Sequence, residues 1–186
     1  MSRIALLFVV VSASALAEPV PALPAALVGL EARHDVVERW ARALGDLHPL
    51  DPRALASLDE EGLRALCVLA RDRGQKVALR ARAVALLPAR PSALVDAVLQ
   101  EARRDPEREV RLAAAWAQGL LLRGQPGSLG FVRGLLDDAE PHMRETGVHL
   151  LFRLHPEEAP AIAAAHLATE QDPALRALVE RRLRHL

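Results

Sequence analysis

Residues 105–122 read DPEREVRLAAAWAQGLLL. The opening Asp-Pro suits a helix N-cap followed by the first helical position, and Glu107 and Glu109 put negative charge where the helix dipole favours it. Val110, Ala113, Ala114, Ala117, Leu120 and Leu121 then share one face at helical spacing, so the stretch predicts an amphipathic helix. The chain repeats this pattern. Arg80, Arg111, Arg144 and Arg176 stand 31, 33 and 32 residues apart. Six positions before the arginine come Asp105, Asp138 and Glu170; four before it come Glu107, Glu140 and Asp172. Three positions after it come Ala83, Ala114, Gly147 and Val179, mostly small residues that let neighbouring helices approach closely. A period of this length marks an array of helix pairs, none of which buries its apolar face alone.

Outward from this helix the remaining elements follow. The expected pairs are 63–71 with 77–87, 91–104 with 106–122, 127–137 with 141–154, and 156–169 with 173–186. Proline or glycine marks nearly every junction, and no stretch of useful length alternates as a strand would. Towards the N-terminus, Val36, Val37, Trp40 and Leu44 share a helix face, and Asp51-Pro52 opens a short helix, RALASL. Residues 27–58 are read as a helical cap over the first pair, and residues 59–186 as the repeat domain. Residues 18–26 form a Pro-rich linker containing EPVPALP. Residues 1–17 read as a signal peptide, with Arg3 as the n-region, Ile4 to Val11 as the apolar core and Ala15-Leu16-Ala17 as the cleavage signature. The expectation is an exported protein, periplasmic or secreted, cleaved after Ala17 and without a membrane span thereafter.

Composition fits this architecture. Hydrophobic residues make up 51% of the 186-residue chain but aromatics only 3%, so the apolar material is mainly Leu, Ala and Val, which favours packed helices. The 24 basic and 24 acidic residues cancel, which argues against nucleic acid as a partner. Cys67 is the sole cysteine, so no intramolecular disulfide forms and stability must come from packing. Within GLRALCVLAR it reads as a buried structural thiol.

The residues Asp105, Glu107, Val110, Arg111, Ala114 and Ala117 carry a pattern that resembles HEAT repeats, especially the short bacterial form also called PBS-lyase HEAT-like. It recurs in Asp138, Glu140, Pro141, Met143, Arg144, Gly147 and Leu150, and begins again in Asp172, Pro173, Leu175 and Arg176. The resemblance covers residues 63–186, with Gly74 and Lys76 replacing acids in the first copy. It implies an all-α, right-handed α-solenoid of about four antiparallel helix pairs behind the N-terminal cap. It also implies a ladder of turn acids and helix arginines between neighbours, carried here by Asp105, Arg111, Asp138 and Arg144. Function is not implied at the same level, because members of this family bind many unrelated things.

Solenoids of this kind bind along the concave face built from the second helix of each pair. The fifth position after the repeat arginine reads Ala85, Trp116, His149 and Arg181. Trp116 falls at the border of the apolar face, where an aromatic anchors a partner or packs on the adjacent repeat. The expected partner-binding residues are Trp116, His149, Arg82 and Arg181. No catalytic residue, metal site or cofactor is expected. His142 and His149 lie two turns apart, about 10.5 Å, too far to share one zinc, and Ser57, Ser92 and Ser128 stand in no nucleophile elbow. Acid pairs such as Asp59/Glu60, Asp137/Asp138 and Glu157/Glu158 suit capping. The resulting expectation is a non-enzymatic scaffold for an unidentified protein or peptide, monomeric or part of a larger assembly. The alternatives are a HEAT-like enzyme of the chromophore-lyase or DNA-base-repair type and a purely structural component of an envelope assembly.

Overall fold

The architecture is that of a computed structural model, which describes residues 27, 29–45 and 58–185. The expected leader (1–17), the linker (18–26) and nearly all of the short RALASL helix lie outside the described residues. Among the described residues there are nine α-helices and no strand. They are α1 (His34–Gly45), α2 (Glu60–Arg71), α3 (Val77–Leu86), α4 (Ala93–Ala102), α5 (Arg108–Leu121), α6 (Ser128–Leu136), α7 (Pro141–Leu154), α8 (Ala159–Thr169) and α9 (Pro173–Arg184). After α1 they form four consecutive pairs, α2/α3 to α8/α9, and the chain is an α-solenoid.

Local chemistry sets the helix ends. Asp59 caps α2 by accepting from the Gly62 N–H at 2.7 Å, and Ser92 caps α4 through the Val95 N–H at 3.3 Å. Asp172 caps α9, accepting from Ala174 and Leu175 at 2.9 and 3.0 Å. In the loop between α5 and α6, Gly124 and Gly127 adopt φ of 71° and 92°, a left-handed conformation that suits glycine. Several starts differ from expectation by two or three residues, among them those of α5 and α8. α5 opens at Arg108 after Glu107, because the Asp105 side chain is turned inward and Pro106 stays in the turn. α8 opens at Ala159 and carries its proline, Pro160, in the first turn.

The second helices pack in line, α3 on α5, α5 on α7 and α7 on α9. In the other layer α2 packs on α4, whereas α6 and α8 leave a groove between them. The layer of second helices, whose members approach one another more closely, is called the inner layer. α5 lies across two apolar clusters. Val110, Ala114 and Ala117 belong to the first, which runs back through α4, α3 and α2 to Trp40 and Leu44 of α1. Ala115 belongs to the second, with Val132, Leu135, Leu150, Ala163 and Val179, and Trp116 packs against it. The small residues after each repeat arginine sit inside: Ala83, Ala114 and Val179 are wholly buried, and Gly147 is buried as well. A Cβ on Gly147 would stand 3.0 Å from both Leu135 Cβ and the Leu136 nitrogen, so α7 rests on the backbone of α6.

Candidate functional site

Each repeat arginine except the last, Arg176, grips two things. It donates to carbonyls near its own turn and to a carboxylate of the next repeat. Arg80 donates to the Ala70 carbonyl at 3.3 Å and forms an ion pair with Asp105, both side chains being nearly inaccessible. Arg111 donates to the Asp105 and Pro106 carbonyls at 2.9 Å each and to Glu140 at 2.9 Å. Arg144 donates to the Asp138 and Ala139 carbonyls at 2.9 and 3.1 Å, and to both oxygens of Glu170 at 2.7 and 2.8 Å. Arg176, in the last pair, donates to the Leu167 and Glu170 carbonyls. A charge-assisted bond at every junction between pairs fixes how one pair is rotated on the next.

The ladder differs from expectation at Asp138. Arg111 reaches Glu140, two residues further on, while the Asp138 carboxylate accepts from the Glu140 N–H at 2.8 Å and shapes the turn. Asp105 does both jobs, accepting from the Glu107 N–H at 2.9 Å while pairing with Arg80. Glu170 accepts from Arg144 through both oxygens and from the Gln171 and Asp172 N–H groups. The bond from Arg144 holds its carboxyl down at about 2, against burial, with help from the Asp172 and Gln171 N–H groups. The same bond raises the Arg144 pKa. His166 Nε2 lies 3.1 Å from Glu170 Oε2.

The four residues expected on the binding face do not form one cluster. Trp116 is half-buried on α5, with the Arg153 guanidinium of α7 placed 5.7 Å from its ring centroid. His149 accepts at Nδ1 from Arg182 of α9 at 3.2 Å, and its Nε2 lies 3.9 Å from Glu145. Arg181 is exposed and lines a groove of about 190 Å³ between α7 and α9, together with His142, Glu145 and Leu178. Arg82 is elsewhere: it donates to the Leu44 carbonyl at 2.5 Å and so ties α3 to α1. Thus Trp116, His149 and Arg181 lie on three successive inner helices, linked by Arg153 and Arg182, which sequence reasoning did not single out for that role. Arg153 stands four residues after His149, on the same side of α7, which was the available signal.

Other reactive groups are enclosed. Cys67 is wholly buried, and burial pushes its thiol up to about 12, so it is protonated at neutral pH. Ser128 Oγ lies 3.0 Å from His155 Nε2, and Ser128 is only 2% exposed. Among the described residues, no three His, Cys, Asp or Glu side chains are placed to hold a metal ion. No described helix is long and apolar enough to cross a membrane.

No curated protein and no solved structure matches the chain. Residues 95–184 match the family model for HEAT repeats, from within α4 to the last residue of α9. That span holds the rungs from Arg111 to Arg176 and the inner-face residues Trp116, His149 and Arg181. The match over residues 95–184 supports a HEAT-repeat family.

Proposed function

We propose that this protein is an exported, non-enzymatic scaffold that binds another protein or a peptide along the inner face of α5, α7 and α9. HEAT repeats commonly mediate protein binding, and the observation that carries the reading is Trp116. It is a large aromatic left half-buried where α5 meets α7, with a cation over its face rather than a closed core around it. Aromatic and arginine side chains in such settings supply much of the binding energy at interfaces. From this anchor the face runs to His149, Arg182 and Arg181, adding polar contacts along a partner's length. The buried, protonated Cys67 and the enclosed Ser128 support a role without nucleophilic catalysis.

The test is a cross-linking pull-down from the source cell's envelope and medium, comparing wild type with Trp116→Ala. Circular dichroism and the melting temperature establish that the variant is folded. A specific partner lost by the folded variant is the expected outcome; capture of the same partners by both chains removes Trp116 from the interface. Export belongs to the proposal through the leader at 1–17, and mass spectrometry of the protein from its source should find a chain beginning at Glu18.

A further inference from the structure

A groove lies on the opposite, outer layer, between α6 and α8, with a volume of about 490 Å³. Leu136, Ile162 and Ala165 line it, and Arg133 and Asp137 stand on its α6 side. Two features of its walls are not explained within one chain. First, α8 carries no Asp, Glu, Lys or Arg, and Ala161, Ala164, Ala165 and Ala168 are all exposed. A helix that is apolar all round is ordinarily covered. Second, Gly130 and Gly134 lie inside α6, each costing about 1 kcal/mol relative to alanine. A Cβ at either position meets nothing within 4 Å, so no neighbour in this chain calls for glycine there. Gly147 is the contrast, since the backbone of α6 presses on it.

Gly130, Arg133, Gly134 and Asp137 follow helical spacing and form one exposed stripe. The stripe is charged but self-complementary. Among the described residues, neither the Arg133 nor the Asp137 side chain takes part in a hydrogen bond or ion pair. From these observations we infer that the α6/α8 face is an isologous interface between two copies of this chain. A two-fold axis crossing α6 midway between Arg133 and Asp137 sets Arg133 of each copy against Asp137 of the other. Gly130 and Gly134 then let the two α6 helices approach at the short end of the usual 8–10 Å, and the alanine face of α8 is covered. A second copy is the occupant that satisfies both charges at once. The inner face of α5, α7 and α9 stays open, so the dimer carries two binding faces pointing away from the axis.

The experiment is analytical ultracentrifugation of the purified protein from about 1 to about 200 µM, a range suited to a modest interface. Wild type should shift from monomer towards dimer across it. Gly134→Leu, at a position where the added side chain meets open space in the monomer, should keep the melting temperature and stay monomeric. Arg133→Asp and Asp137→Arg should each weaken dimerisation about tenfold or more by setting like charges face to face. An equimolar mixture of these two variants should dimerise again, because every acid of the stripe in one copy then faces an arginine in the other. Circular dichroism verifies that every variant is folded. A wild-type monomer at all concentrations overturns the proposal and leaves the groove to some other occupant. So does a dimer indifferent to Gly134→Leu, or a mixture that remains monomeric. None of these outcomes bears on Trp116, so the inner-face reading stands or falls separately.

Discussion

The first and last seams of the stack use the same chemistry in different surroundings. Where α2/α3 meet α4/α5, Arg80 and Asp105 are 4% and 7% exposed, and the layers around them are filled by Leu69, Val84, Val98 and Val110. Where α6/α7 meet α8/α9, Arg144 and Glu170 make a better-formed pair, bidentate at 2.7 and 2.8 Å. Yet grooves open on both sides of that seam, one between α6 and α8 and one between α7 and α9. An ion pair in a filled seam is chiefly a liability if broken, because its desolvation has already been incurred. An ion pair in a gapped seam is a larger share of what holds the pieces together.

The filled seam should therefore show the largest single effect. Asp105→Ala leaves the Arg80 guanidinium buried without its carboxylate and removes the acceptor for the Glu107 N–H. A loss of about 3–5 kcal/mol is expected from urea unfolding. Arg80→Met combined with Asp105→Leu should recover most of it, since apolar groups suit that site. A loss under about 1 kcal/mol would show that water reaches Arg80 and that the two seams are alike.

The gapped seam should answer to acid. Glu170 has a folded pKa of about 2 against an ordinary value near 4.5, so its contribution is complete above the ordinary value and disappears as pH falls towards 2. The size is on the order of 2–3 kcal/mol. Hydrogen exchange between about pH 6 and pH 3 should show α8 and α9 losing protection before α2 to α5. Arg144 across the seam is then left without its carboxylate. In Glu170→Gln the early loss in α8 and α9 should already be present at neutral pH and should change little with acid. Uniform loss along the chain would mean that the whole array unfolds as one unit.

Packing at glycine provides a third comparison. Gly147→Ala sets a methyl against the backbone of α6 at 3.0–3.2 Å and should cost about 1–3 kcal/mol, read as a lowered melting temperature. Gly134→Ala adds the same methyl to open space and should stabilise the monomer by up to about 1 kcal/mol. If the two move in the same direction, the outer surface of α6 is not free in the way inferred.

The pairs themselves were readable from residues 105–122 because a repeat writes its core positions at a fixed spacing. Ala83, Ala114, Gly147 and Val179 were picked out together and are buried together. The errors fall where a residue had two possible partners. Asp105 read both as an N-cap and as a rung of the ladder; a carboxylate six positions before one arginine is within reach of the previous one, so the ladder role holds and the N-cap does not. Arg82 read as a polar contact on the inner face, but a long side chain near α1 met an open carbonyl at Leu44, 38 residues earlier. The Arg153–Trp116 contact and the α6/α8 groove depend on how far successive pairs are splayed, a global quantity that no local spacing records.

The middle rung tests whether the ladder is a set of equal parts. Arg111 and Glu140 are each about a quarter exposed, 25% and 26%, so water remains a competitor for both. Without Glu140, Arg111 keeps its bonds to the Asp105 and Pro106 carbonyls and turns its remaining donors to solvent. The α6/α7 turn keeps its shape too, because the Asp138 carboxylate bonds the residue 140 N–H whatever side chain stands there. Glu140→Ala should therefore cost less than about 1 kcal/mol in urea unfolding, well below Asp105→Ala. Added salt should shrink even that difference, as it does for pairs open to water, and should leave the Asp105→Ala loss nearly unchanged. Equal losses at the two rungs would mean that the arginines act as parts of one coupled network, with burial at each seam of little consequence.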